Sequence, residues 1–118
     1  MRTYDDFETI INKMYENPEV IDNHTNKPEK IVGLVEFNNE EKGLGCMFDT
    51  YYYCINQCYI GDDNNLHCST MSIGGVLWNG DAENLAKQLK RYNNEYLFEG
   101  GKIKCLHMAD GSTIYPAA

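Results

Sequence analysis

Residues 48–63 read FDTYYYCINQCYIGDD. Three tyrosines run together, Cys54 and Cys58 stand four apart, and two aspartates follow a glycine. Whether this stretch is strand or helix decides the fold. A helical reading exists, because Tyr51, Cys54, Ile55 and Cys58 recur at i, i+3, i+4 and i+7. Composition argues for strand. Residues 51–60 contain no Ala, Leu, Glu, Lys, Arg or Met, the strongest helix formers. They also run into GDDNN, a turn-forming cluster. Residues 44–73 are therefore read as a hairpin.

The strand reading assigns faces, because side chains alternate along a strand. Leu44, Cys46, Phe48, Tyr52, Cys54, Cys58 and Ile60 share one face. Met47, Asp49, Tyr51, Tyr53, Ile55, Gln57 and Tyr59 share the other. A loop over residues 61–65 sets Ile60 opposite Leu66, Tyr59 opposite His67 and Cys58 opposite Cys68. One face then collects Cys46, Cys54, Cys58 and Cys68. The other collects Tyr51, Tyr53, Tyr59, His67, Met71 and Ile73.

Outward from the hairpin, the N-terminal segment carries Phe7, Ile10, Ile11 and Met14 at helical spacing. The expectation is an amphipathic helix over 3–16, capped by Thr3, with Asp5 and Asp6 at the positive end of its dipole. Asp5, Glu8, Asn12 and Glu16 fall on its solvent side. Asn17-Pro18 ends it. Residues 18–29 read as a polar connection, KIVGLVEF (30–37) as a strand, and 38–45 as a turn. SIGGVLW (72–78) reads as a further strand with a bulge or bend at Gly74-Gly75.

A second helix is expected over 81–93, with Asp81 as N-cap and Ala82, Leu85, Ala86, Leu89 and Tyr92 as its apolar stripe. The C-terminal segment reads as a meander with turns at Gly100-Gly101 and Asp110-Gly111. The expected fold is α+β. It is one domain over 1–118, with a mainly antiparallel sheet of about five strands and both helices packed on one face.

Composition narrows the function. The formal net charge is −8. Residues 1–41 hold ten acidic side chains against four basic ones. Direct nucleic-acid binding needs a basic footprint, and an anionic membrane would repel this chain. No apolar run reaches the roughly 20 residues of a membrane span, and MRTYDDFETI lacks the apolar core of a secretory signal. The expected location is the cytoplasm, where five cysteines imply thiols rather than a disulfide framework.

Three chemistries have candidate residues in the sequence. Cys54-x3-Cys58, His67-Cys68 and Cys105-x-His107 offer zinc ligand types, but none is a paired knuckle. His67 and Cys68 point to opposite faces of a strand. Cys46, Cys54, Cys58 and Cys68, gathered on one face among apolar neighbours, are therefore expected as core thiols, with no metal and no cofactor, and Cys105 is read with them against a metal role. A cysteine nucleophile needs a base and an orienting acid, and only Cys105 and His107 share a face. The expectation is a protein that is not an enzyme and has no catalytic residue. The glycine pairs lack the remaining positions of a phosphate-binding loop.

The remaining reading is recognition. Tyr and Met favour interfaces, and carboxylates along a helix can imitate phosphates before a basic groove. The expected partner-binding residues are Asp5, Glu8, Glu16, Tyr51, Tyr53, Tyr59, Asp62 and Asp63. The expected function is inhibition of a basic, nucleic-acid-handling protein by occlusion or mimicry. A mobile-element inhibitor of a CRISPR-type nuclease is the leading example, and an immunity protein to a nuclease toxin is the alternative. A small-ligand-binding or homodimerising domain, or a Cys/His metal-dependent enzyme, stands behind these.

Overall fold

A computed structural model describes residues 6–38, 43–48, 52–54, 58–68, 72–75, 78–95 and 101–118; for 52–54 and 72–75 it describes the backbone alone. The elements in chain order are α1 (Phe7–Glu16), β1 (Glu19–Asp22), β2 (Lys27–Phe37), β3 (Leu44–Phe48), β4 (Tyr52–Cys54), β5 (Cys58–Ile60), β6 (Leu66–Cys68), β7 (Ser72–Gly75), α2 (Ala82–Glu95), β8 (Ile103–Met108) and β9 (Thr113–Ile114). The α+β class expected from the sequence holds.

The organising strand is β2. Its two edges carry different partners along its length. β1 pairs antiparallel with Lys27–Lys30, and β8 takes over the same edge from Gly33 to Phe37. β3 runs along the other edge and continues the sheet through β4 to β7. Beyond β1 lie β6 and then β5, with β1 and β6 parallel.

The sheet is mixed, and it curls. β5 and β3 are separated by three intervening strands in the sheet order, yet they touch. The interior of that curl holds Ile10 and Met14 of α1 with Val20, Ile31, Leu34, Leu44, Cys46, Cys58, Leu66 and Cys68. A second cluster joins Leu85, Leu89 and Tyr92 of α2 to Val35, Phe37, Met47, Leu106 and Met108.

Leu34 and Val35 are adjacent on β2, and Cys46 and Met47 are adjacent on β3, so each pair divides between opposite faces. The two helices therefore cover opposite faces. This corrects the expectation of about five strands with both helices on one face. The reason lies in the strands' own patterning. β2 and β3 are apolar on both sides through Leu34–Val35 and Cys46–Met47, and one layer of helices cannot cover both.

Both helices follow their stripes. Ile10 and Met14 are buried, while Phe7 and Ile11 pack against the same cluster. α1 begins at Phe7, behind an extended Asp6 at the N-cap position that makes no side-chain cap, and Thr3 lies outside the described residues. Asp81 does cap α2: its Oδ1 accepts from the Asn84 N–H at 3.2 Å and its carbonyl from the Leu85 N–H at 3.1 Å.

The polar connection expected over 18–29 contains a strand. In EVID, Val20 and Asp22 point inward, and β1 turns back into β2 through Asn26 at φ 60°. Among the described residues, no helix is long and apolar enough to cross a membrane.

The opening stretch divides. Residues 52–54 and 58–60 form separate strands, β4 beside β3 and β5 beside β6. The continuous strand expected across 44–60 is thus three, β3, β4 and β5, with β5 in a different part of the sheet. The β5–β6 register is as expected: Cys58↔Cys68, Tyr59↔His67 and Ile60↔Leu66. An irregularity also falls where the Gly74-Gly75 bulge was expected, since Tyr52 pairs with Gly75 but Cys54 with Ser72.

Candidate functional site

Two regions gather polar chemistry. The first lies where α1 meets the β5–β6 hairpin. A groove of about 310 Å³ runs between them, lined by Lys13, Asn17, Glu19, Asp63, Asn65 and His67 among others. Glu8 and Glu16 are exposed on α1, Glu19 follows on β1, and Asp62 and Asp63 occupy the hairpin turn. Among the described residues, Glu8, Glu16, Glu19 and Asp62 enter no ion pair.

Asp63 and Tyr59 are already engaged within the chain. His67 Nε2 lies 2.8 Å from Asp63 Oδ1, and its Nδ1 lies 2.9 Å from Asn23 Oδ1. Asn23 Nδ2 donates to the Tyr59 hydroxyl at 2.7 Å. The hydrogen bond from His67 and the Asn65 N–H hold the Asp63 carboxyl low, at about 2. Tyr59 stacks on His67 and is only partly exposed. It belongs to the hairpin's own structure.

The second region is a cluster of Glu36, Cys105 and His107. It exists because β2 and β8 pair out of simple register. Glu36 faces Cys105 and Leu34 faces His107, but Phe37 faces Ile103, leaving Lys104 as the extra residue. Such a bulge re-aims side chains. Ile103 enters the α2 core, while Lys104 reaches Glu36 Oε2 at 3.1 Å.

Glu36 Oε1, Cys105 Sγ and His107 Nε2 converge, all within 4.8 Å of one another. His107 Nε2 is 2.8 Å from Glu36 Oε1, and Cys105 Sγ is 3.4 Å from His107 Nε2 and 3.8 Å from Glu36 Oε1. The Glu36 and His107 side chains are 13% and 16% exposed, so the cluster lies at the edge of solvent.

The electrostatics follow from this packing. Burial pushes the Glu36 carboxyl up, but hydrogen bonds from His107 and Lys104 outweigh it and leave the group below its usual range. Burial, reinforced by the Glu36 charge, pushes the Cys105 thiol up to about 11. The thiol and the carboxylate address the same ring nitrogen. In a nucleophilic relay the imidazole stands between base-requiring thiol and orienting acid, one on each nitrogen. This cluster does not have that form.

A third group of thiols is purely internal. Cys46, Cys58 and Cys68 are 0%, 4% and 0% exposed. Their close approach to one another, with Cys58 first and Cys68 second, and then burial, raises the Cys46 thiol well above its usual range. Among the described residues, this is the core role expected for Cys58 and Cys68, and Cys105 is buried as well.

The residues singled out from sequence are thus dispersed. Glu8 and Glu16 are exposed on α1, Asp62 and Asp63 are exposed in the hairpin turn, and Tyr59 is half-buried in the hairpin. Asp5 and Tyr51 lie outside the described residues, and only the backbone of Tyr53 is described, opposite Met47. Met47, expected on the tyrosine face, is 1% exposed in the α2 core. That face is core at this position and not an open surface.

The sequence pattern does not single out Glu36. Its signal was a carboxylate inside the apolar run KIVGLVEF, two residues from Leu34 on the same face. No protein-family model, no curated protein and no solved structure matches this chain.

Proposed function

We propose that this chain is a small acidic binding protein that inhibits a basic, nucleic-acid-handling protein by occupying its nucleic-acid surface. The observation that carries the reading is that Glu8 and Glu16 on α1, Glu19 on β1 and Asp62 in the hairpin turn stand exposed without an ion pair among the described residues. Glu8 and Glu16 lie about 12 Å apart along the helix axis. That span covers about three to four nucleotides of one strand at about 3.4 Å each. Unpaired carboxylates held by a rigid helix can meet a row of Lys and Arg side chains without first breaking internal contacts.

The chemistry suits a mobile-element anti-defence inhibitor of a CRISPR-type nuclease. An immunity protein against a nuclease toxin would use the same surface, and the two differ in partner alone. The tyrosines contribute less to this reading than the acids do, because Tyr59 is committed to Asn23 and His67.

The test combines both partner types. The chain is titrated into guide-RNA-dependent nucleases and into nuclease toxins, with cleavage and complex formation measured at several salt concentrations. Inhibition that weakens as salt rises, and that is lost on combined reversal of Glu8, Glu16 and Asp62 to Lys, supports occlusion through these carboxylates. Binding that is indifferent to the triple reversal sinks it.

A further inference from the structure

We propose that Glu36, Cys105 and His107 form a binding site for a single divalent cation of the zinc class, a role separate from the acidic surface. Three ligand types meet at one point: a carboxylate oxygen, a thiol sulfur and an imidazole nitrogen. They come from two strands 69 and 71 residues apart in sequence. Soft thiolate with imidazole selects zinc or cobalt over magnesium or calcium.

Two of the three ligand–ligand edges already lie near the values for zinc. Zinc takes sulfur at about 2.3 Å and nitrogen or oxygen at about 2.0–2.2 Å, so a tetrahedral site has ligand–ligand edges of about 3.4–3.6 Å. The thiol–imidazole edge is 3.4 Å and the thiol–carboxylate edge 3.8 Å. The imidazole–carboxylate edge is a hydrogen bond of 2.8 Å. It must open by about 0.6 Å to reach the tetrahedral value. A turn of the terminal Glu36 carboxylate, a broad and soft torsion, supplies that movement.

The surroundings favour the same role. Lys104 holds Oε2, so Glu36 offers Oε1 alone and acts as a monodentate ligand oriented by its neighbour. Cys105 and His107 are alternate residues of β8, locked on one face by pairing with Glu36 and Leu34. On binding, the cation takes the place of the proton on Cys105 Sγ, which leaves to solvent, and of any proton on His107 Nε2. Three protein ligands at a solvent edge leave a fourth position for water or for a group from a partner.

The buried trio of Cys46, Cys58 and Cys68 is the competing thiol cluster, and the experiment separates the two. Purified full-length protein, stripped with chelator, is titrated with Co2+. The expected result is one equivalent bound, with a thiolate-to-cobalt charge-transfer absorption. That band is lost in Cys105→Ser and retained in Cys46→Ser. Glu36→Gln and His107→Gln weaken binding at least about tenfold with unchanged circular dichroism.

A measurement on the unsubstituted protein guards against a variant that fails to fold. On adding Zn2+, the nitrogen NMR signal of His107 Nε2 moves to the metal-bound range while that of His24 does not. Absence of cobalt uptake overturns the proposal. So does a band that survives Cys105→Ser or vanishes in folded Cys46→Ser, or a His107 signal unmoved by Zn2+.

Discussion

Tyr59 and His67 face one another across the β5–β6 hairpin, their ring centroids 5.5 Å apart and their planes 19° from parallel. The stack is held at its rim, since Asn23 bonds both the Tyr59 hydroxyl and His67 Nδ1. The inner face of the hairpin is held by Cys58, Leu66 and Cys68 in the core, and this pair ties its outer face. Tyr59→Leu is expected to cost about 1–2 kcal/mol in urea unfolding. A double-mutant cycle with His67→Leu should show coupling of about 0.5–1.5 kcal/mol. Additive effects would mean that the rings merely lie near each other.

Asp63 makes the hairpin acid-sensitive. Its carboxyl is held at about 2, first by the His67 hydrogen bond and then by the Asn65 N–H. A folded value below the unfolded one means that the carboxylate stabilises the folded chain above about pH 4, with that contribution lost as pH falls towards 2. Carboxyl-carbon NMR should place the Asp63 midpoint near 2. Asp63→Asn should flatten the stability profile between about pH 4 and pH 2. An Asp63 midpoint in the ordinary aspartate range would show that the His67 contact does not persist in solution.

The curl's interior should tolerate no loss of volume. Met14 is 0% exposed between α1 and the sheet, and Leu34 is 0% exposed on β2. Met14→Ala and Leu34→Ala are each expected to cost about 2–5 kcal/mol in denaturant midpoint analysis. Cys46→Ser, which places a hydroxyl among apolar side chains, should cost about 1–3 kcal/mol. In the native protein, Cys46, Cys58, Cys68 and Cys105 should resist alkylation, and react at rates set by unfolding.

Gly33 sits where β2 runs directly against the β8 backbone. A Cβ built there would lie 2.6 Å from the His107 carbonyl oxygen, a backbone atom that cannot swing away. Gly33→Ala is expected to cost more than about 2 kcal/mol and to disturb the His107 ring signal in NMR. An unchanged His107 signal would show that the strands separate elsewhere.

Charge reversal on α1 should leave the fold alone. Glu8 and Glu16 are exposed and form no ion pair among the described residues. Glu16→Lys should change unfolding free energy by no more than about 0.5 kcal/mol, while Glu8→Lys, in the first turn of α1, should cost about 1 kcal/mol through the helix dipole and leave the fold intact. Any larger loss of partner binding then reports on the surface and not on stability.

Local periodicity made much of this molecule readable in the sequence alone. Helical spacing marked Ile10 and Met14, and likewise Leu85, Leu89 and Tyr92, as the faces that α1 and α2 bury. The alternation of CYI and LHC about a five-residue turn set the β5–β6 register, including Cys58 opposite Cys68. These are matters of neighbours along the chain, where the side-chain period settles which residues share a face.

The tertiary structure alone decided the rest. Nothing local says that β1 runs parallel to β6, that β5 reaches β3 across a curled sheet, or that α1 and α2 take opposite faces. Nor does a carboxylate in KIVGLVEF announce that a bulge at Lys104 will bring Cys105 and His107 to it. Such pairings depend on which distant surfaces can bury one another together. That free energy belongs to the assembled sheet and to no single segment of it.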